Sequence, residues 1–143
     1  MKSFYSKRIK DEVILLSRFL LVLLFLIFGW NKFTDYSGTI AYMQQVGTPF
    51  PNLASIVAIF MELFVSLAIF FGIFTRPLAI FMAIYTLGTA FIGHHYWTMT
   101  GVPRFEGEIN FYKNISIIGG FFLLYVTGAG KYSLDTKLGL AAE

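Results

Sequence analysis

The chain of 143 residues contains no cysteine, and only 13% of its residues are charged. Because it has no thiol, disulfide exchange, iron–sulfur clusters and thiolate metal sites are excluded. The metalloprotease motif HExxH and the phosphate-binding glycine loop are absent as well, so we expect no metal site and no intrinsic cofactor. The scarcity of charge also argues against a soluble domain, in which about 25% of residues are charged.

Apolar residues are in excess, since 57% of the chain is hydrophobic and its mean hydropathy is +0.69. They form four runs, at 13–33, 53–74, 78–97 and 111–127. Each run has about the 20 residues that a helix needs to cross a hydrocarbon layer roughly 30 Å thick. The first run follows a basic segment but is longer than the core of about 7–15 residues in a signal peptide. We therefore predict one all-α domain over residues 1–143, an integral membrane four-helix bundle.

Lysine and arginine are distributed unevenly between these runs, and cytoplasmic segments usually carry the excess. If the N-terminus is inside, the outer side holds Lys32, Arg104 and Lys113. The inner side then holds Lys2, Lys7, Arg8, Lys10, Arg76, Lys131 and Lys137. This pattern predicts that both termini are cytoplasmic. It also explains the net charge of +3 by topology, so we expect no nucleic-acid partner.

Glu62 lies near the middle of the second apolar run. A charged side chain at the centre of a membrane helix costs about 2.5–3.5 kcal/mol on insertion scales. The carboxylate must therefore face a partner, a water-filled cavity or a proton that neutralises it. We expect a proton-exchanging group here, and the alternative is a structural hydrogen bond that holds the bundle together.

Polar and small residues recur at helical spacing on one face of each predicted helix. In the first two helices these residues are Arg18, Phe25, Gly29 and Lys32, and Ser55, Glu62 and Ser66. In the last two they are Ala79, Ala83, Thr86, Ala90, Gly93 and His94, and Asn110, Lys113, Ser116, Gly120 and Thr127, with Asn114 somewhat off the face. We expect these four faces to meet in a polar bundle interior.

The depth of each polar residue predicts an outer vestibule above Glu62. Its expected ligand-binding residues are Lys32, His94, Asn110, Lys113 and Asn114. Arg18 lies near the inner surface, and its side chain leans away from Glu62 because the two helices run in opposite directions. The partner of Glu62 is therefore open between Arg18, Lys32, Lys113 and a chain of water molecules.

Each of these polar residues has a plainer interpretation. Arg18 and Arg76 are expected to be structural or charge partners near the inner surface, although Arg18 could instead extend to the inner headgroups. Lys32, Lys113 and His94 could be interfacial anchors.

Short motifs along nearly the whole chain resemble those of the DoxX family of small bacterial membrane proteins. They are Arg18-x-x-Leu21, Phe28-Gly29-x-x-Lys32-Phe33, Met61-Glu62, Phe71-Gly72-x-x-Thr75-Arg76-Pro77, Gly93-His94-His95-Tyr96-Trp97 and Asn110-Phe111-x-Lys113-Asn114. The resemblance implies a multi-pass protein of the bacterial inner membrane. It also suggests quinone chemistry, because some relatives are assigned to thiosulfate:quinone oxidoreductase or membrane redox complexes, and others to quinone or catechol resistance.

Three functions are compatible with these residues. The first is a subunit or anchor of a membrane redox system that binds a quinone-like ligand, for which a partner protein must supply the electrons. The second is a small proton-coupled transporter with Glu62 as its proton site. The third is a structural scaffold of a membrane complex. Besides the lipid bilayer, a second copy of the chain is a further candidate partner, through the small residues of the third helix.

Overall fold

The computed structural model describes residues 7–140, and its regular secondary structure over that range is helical, with no strand. Lys2, both chain ends and the side chains of Lys7 and Arg8 lie outside the described residues. Four segments are long and apolar enough to cross a membrane, namely Ile9–Thr34, Pro51–Phe71, Thr75–Thr98 and Gly101–Thr127. The predicted all-α class with four membrane-spanning helices is therefore confirmed for the described part of the chain.

Seven α-helices, one π-helical turn and one 3₁₀ turn make up residues 7–140 together with their connections. In chain order they are α1 (Lys7–Thr34), α2 (Tyr36–Gln45), α3 (Pro51–Ile59), the π turn (Phe60–Val65), α4 (Ser66–Phe71), α5 (Thr75–Gly93), the 3₁₀ turn (Tyr96–Thr98), α6 (Gly101–Thr127) and α7 (Leu134–Lys137). The second span is thus α3, the π turn and α4 in direct succession.

The core lies where the four spans meet, and it contains fully buried Val22, Ile69, Met82 and Phe121. The outward faces of the spans are apolar too, as shown by Leu123, which is 69% exposed. A soluble bundle would place polar residues there. The apolar outer surface is what a helix bundle presents to lipid.

The boundaries of the spans differ from the apolar runs. The fourth helix begins at Gly101 rather than at residue 111. With 27 residues it is about 40 Å long and extends beyond the hydrocarbon layer, so its first turns are polar although they are helical. The third helix ends at Gly93 rather than at residue 97, and Tyr96–Thr98 form a separate 3₁₀ turn.

The connection between the first two spans contains α2, a helix that the hydropathy pattern does not indicate. Its 10 residues make a rod of about 15 Å, too short to cross a bilayer. Asp35 is its N-cap, since Oδ1 accepts a hydrogen bond of 3.0 Å from the amide of Gly38. The hydroxyl of Tyr36 donates to the carbonyl of Asn52 at 3.4 Å, which ties α2 to the start of α3.

At the opposite end of the bundle, Arg18 is buried to 2% exposure. Its guanidinium donates from Nε to the carbonyl of Phe70 at 3.1 Å and from Nη2 to that of Tyr132 at 2.7 Å. A further hydrogen bond runs from Nη1 to the carbonyl of Ala129. Arg18 therefore joins α1 to α4 and to the segment after α6. It does not extend to the headgroups.

Asp135 completes this end of the bundle. Its Oδ1 accepts from the amide of Phe74 at 2.7 Å, and its Oδ2 accepts from that of Thr75 at 2.9 Å. Gly72 lies beneath, where an added Cβ would be 2.5 Å from the Cβ of Ser133. We call Arg18, Asp135 and the backbone groups that they bind the clasp. Arg76 packs against Gly128 at the same end of the bundle. Its Nε is 3.1 Å from the position that a Cβ on Gly128 would occupy.

We predict that Asp135→Ala lowers the midpoint of thermal unfolding in detergent micelles. The substitution orphans two amide donors at the start of α5, and each buried orphan costs about 1–3 kcal/mol. Asp11→Ala is the matched control, because the Asp11 carboxylate accepts only a long, exposed hydrogen bond of 3.4 Å from the amide of Lys131. Equal midpoints for the two variants would contradict the capping role of Asp135.

Candidate functional site

A cavity of about 730 Å³ lies at the end of the bundle opposite the clasp. This volume is within the range of roughly 300–1,000 Å³ that is usual for small-molecule sites. Six residues singled out in the sequence line it together, namely Lys32, Glu62, His94, Asn110, Lys113 and Asn114. Arg18 and Arg76 are not among its lining residues and belong to the clasp end.

Glu62 is 7% exposed, and its carboxylate is bound at both oxygens. Oε2 accepts a hydrogen bond of 2.6 Å from Nζ of Lys32, which forms an ion pair. Oε1 accepts a second hydrogen bond of 2.6 Å from the hydroxyl of Tyr85. Of the partners left open by the sequence, Lys32 is the one in contact, and the direct Arg18 pair is absent.

Gly29 makes this ion pair possible by letting α1 approach the second span closely. A Cβ at this position would lie 2.8 Å from the backbone carbon of Glu62 and from the backbone nitrogen of Leu63. No side chain fits in that space. Lys32 follows Gly29 by three residues and so lies on the same face of α1, where its amine reaches the carboxylate.

The carboxylate is also carried on an unusual backbone. Glu62 lies inside the six-residue π turn that interrupts the second span. Such turns insert an extra residue into an α-helix and are found frequently at functional sites. Here the turn places Glu62 and Leu63 against Gly29 while both flanking helices continue as one span.

Tyr85 binds Glu62 in this site, but no pattern in the sequence singles it out. It lies within the third apolar run, so its ring reads as part of the core. The signal that could have identified it is its depth. Tyrosines of membrane helices concentrate at the interfaces, whereas Tyr85 lies mid-span. A hydroxyl buried there needs a hydrogen-bond partner. On α5 it shares a face with Gly88, Thr89 and Ile92, all of which line the cavity.

The contribution of α6 differs from the predicted face. Asn114 is buried to 7% exposure, and its Nδ2 donates to Oγ1 of Thr89 at 3.1 Å. Lys113 and Ser116, which were expected to point inward, are exposed, although Nζ of Lys113 reaches Oδ1 of Asn110 at the cavity rim at 2.7 Å. The inward prediction for Ser116 was wrong, because its hydroxyl donates to the carbonyl of Tyr112 at 3.0 Å and needs no partner in the bundle interior. Lys113 lines the cavity, but at its exposed rim.

The remaining walls of the cavity are mostly apolar. α1 contributes Phe25 and Phe28, α2 contributes Tyr42 and Met43, and Val46 follows at the C-cap of α2. α2 therefore covers one side of the cavity, a role that hydropathy alone could not indicate. The site combines an apolar enclosure with a few polar groups, which is the usual composition of a small-molecule pocket.

Comparison with known sequences identifies the family. The DoxX family profile matches residues 13–95. The chain belongs to the DoxX family. It is similar to the inner membrane protein YphA of Escherichia coli, with 50% identity over 128 residues, which cover 90% of this chain and 91% of YphA. It is also similar to the inner membrane protein YqjF of the same organism, with 42% identity and coverage of 92% and 96%. No solved structure matches it significantly.

These relatives place the DoxX-family chain in a membrane. Both are named inner membrane proteins, and this chain has four helices able to cross a bilayer. It is therefore a multi-pass protein of the inner membrane with the lipid bilayer around it. Within residues 7–140, no three His, Asp or Glu side chains gather where they could hold a metal ion.

The Lys32–Glu62 pair of this DoxX-family chain can be tested by a double-mutant cycle. Lys32→Met leaves a buried carboxylate without its cation, and we expect a loss of about 3–5 kcal/mol of stability. Glu62→Gln in the Lys32→Met background removes the uncompensated charge and should recover part of that loss. The measurement is unfolding of all four species in mixed micelles. Additive effects of the two substitutions would contradict a direct pair.

Proposed function

We propose that the cavity binds a quinone-like ring and that this chain serves as a subunit or anchor of a membrane redox system. The observation that supports this most is the buried Glu62, hydrogen-bonded to Lys32 and Tyr85 at the wall of a largely apolar cavity of about 730 Å³. The aromatic side chains of Phe25 and Phe28 suit a flat ring.

Lys32 and Tyr85 are the groups that would face the polar edge of the ring. Nζ of Lys32 has three N–H groups, of which one is donated to Glu62. The other two are free to bind a ligand oxygen. Its side chain is 22% exposed, and both Lys32 and Tyr85 line the cavity.

Reduction of a quinone to a hydroquinone takes up two electrons and two protons. In this proposal a redox partner protein supplies the electrons, and Glu62 exchanges the protons through its hydrogen bonds to Tyr85 and Lys32. A second copy of the chain is a further proposed partner.

The first test fills the cavity without touching its polar groups. Gly88 lines the cavity, and an added Cβ there meets no atom within 4 Å. We expect Gly88→Leu to weaken binding of a short-chain ubiquinone at least tenfold (about 1.4 kcal/mol) while leaving thermal stability unchanged or raised, since leucine is the better helix former. Binding is measured by isothermal titration in detergent.

Gly119→Leu is the matched control for this test. Gly119 also has open space around its Cβ position, but it lies on the exposed face of α6 and does not line the cavity. We expect wild-type ubiquinone binding in this variant. Equal affinity in Gly88→Leu and wild type, or no binding to wild type, would overturn the proposal.

Transport is a second candidate, favoured by the position of a buried carboxylate beside a cavity within a span. Proton-coupled uptake of a solute into liposomes that disappears in Glu62→Gln would support it. If Glu62→Gln only unfolds the protein and no ligand binds, the scaffold function is left.

We also propose that the clasp end faces the cytoplasm, so that both termini are cytoplasmic. The order of the spans in the sequence assigns seven lysines and arginines to that side and three to the other, and the positive side of a membrane protein is normally inside. Green fluorescent protein fused to the C-terminus should therefore fluoresce, and alkaline phosphatase should be inactive there. Phosphatase fused after Gly47, in the turn between α2 and α3, should be active. The reverse pattern would refute this orientation.

A further inference from the structure

The side-chain amide of Asn114 has a fixed orientation. Oγ1 of Thr89 donates its one hydrogen to the carbonyl of Thr86 at 2.9 Å. Toward Asn114, 3.1 Å away, the hydroxyl can therefore only accept, so the atom that faces it must be the NH₂ group. The amide oxygen Oδ1 then points away from Thr89.

This oxygen is an acceptor without a donor. Asn114 is 7% exposed and lines the cavity. Among the residues that the structure describes, none donates a hydrogen bond to its Oδ1. Since Thr75 Oγ1 is the one fully buried side-chain atom without a partner among the described residues, Oδ1 of Asn114 is accessible rather than sealed in. A ligand that fills the cavity leaves this oxygen unpaired unless it brings an O–H or N–H group to it, so such a ligand is favoured over one that lacks a donor.

Tyr85 presents a second acceptor to the same cavity. Its hydroxyl hydrogen is donated to Oε1 of Glu62, so only lone pairs remain for a ligand. Lys32 contributes the opposite character, because its remaining N–H groups can only donate. The polar residues of the cavity that are closest to Glu62 and Thr89 thus offer donors at Lys32 and acceptors at Tyr85 and Asn114. Of the other polar residues that line it, His94 lies at the C-cap of α5 and Lys113 at the exposed rim.

We propose that Asn114 determines specificity for a ligand that carries hydroxyl groups, so that the cavity prefers the hydroquinone form of the ring to the quinone form. A quinone has two carbonyl oxygens and can only accept, so it satisfies Lys32 but neither Tyr85 nor Asn114. A hydroquinone hydroxyl both donates and accepts. This inference rests on the proposed function and adds which form of the ring is bound.

The test measures binding of three probes under anaerobic conditions: ubiquinone with one isoprenoid unit, its hydroquinone, and the dimethyl ether of that hydroquinone. Wild type should bind the hydroquinone about tenfold more tightly than the quinone or the ether, the effect of one good hydrogen bond to a buried group. In Asn114→Leu the ratio of hydroquinone affinity to quinone affinity should fall to about threefold or less, with the affinity for the quinone little changed.

Thr89→Val gives an independent readout if Asn114→Leu is unstable. Valine has nearly the shape of threonine but cannot accept from Asn114, so the amide is free to turn its NH₂ group toward the cavity. We expect the quinone to bind more tightly to this variant than to wild type, which a merely structural role of Thr89 would not produce. Ser116→Val, on the exposed side of α6, should keep the wild-type ratio.

The outcomes separate the two proposals. Equal affinity of wild type for quinone and hydroquinone, with both weakened by Gly88→Leu, overturns the role of Asn114 and leaves the proposed function standing. A wild-type ratio that persists in both Asn114→Leu and Thr89→Val also overturns it. Failure of all three probes to bind wild type overturns the proposed function itself.

Discussion

The buried pair between Glu62 and Lys32 is the interaction on which the cavity end of the molecule depends. A carboxylate in the middle of a membrane span is unfavourable unless its charge is compensated and its oxygens are hydrogen-bonded. Lys32 supplies the charge and Tyr85 the second hydrogen bond. These contacts need α1 and α5 at fixed distances from the second span, which Gly29 and the π turn allow. The carboxylate of Glu62, unfavourable by itself, thereby becomes a hydrogen-bonded part of the cavity wall.

The two ends of the bundle manage buried polarity in different ways. At the clasp, Arg18 binds carbonyl groups and Asp135 binds amides, and their hydrogen bonds connect segments far apart in the chain. At the cavity end, side chains bind other side chains, and the oxygens of Tyr85 and Asn114 retain lone pairs that accept no hydrogen bond from the described residues. The clasp bonds tie backbone segments together, whereas at the cavity end the free lone pairs of Tyr85 and Asn114 border a space large enough for a ligand. That difference is why we assign function to the cavity end.

Much of this arrangement could be predicted along the chain. The four spans follow from hydropathy, and the inward position of Ser55, Glu62 and Ser66 follows from helical spacing, since all three are buried. The cavity residues were found because polar groups within spans are costly and therefore rare. The predictions failed where that cost is absent. Near the membrane surface a polar residue can face either way, so Lys113, predicted to point inward, lies at the exposed rim of the cavity, and Asn114, predicted to lie off the face, is buried. Helix α2 has no apolar run to mark it.

The sequence by itself determined that the chain is helical, that it has four segments long and apolar enough to cross a membrane, and that Glu62 needs compensation. These properties depend on the free energies of transfer from water to lipid, added over residues that are neighbours in the chain. They can therefore be predicted from a short stretch of sequence. Only the tertiary structure decided which group compensates Glu62, that Tyr85 joins it, and that α2 covers the cavity. The donor–acceptor distance of a hydrogen bond varies by only a few tenths of an ångström. Two side chains reach that distance only when their helices have the right axial position and rotation, and both depend on packing across the whole bundle.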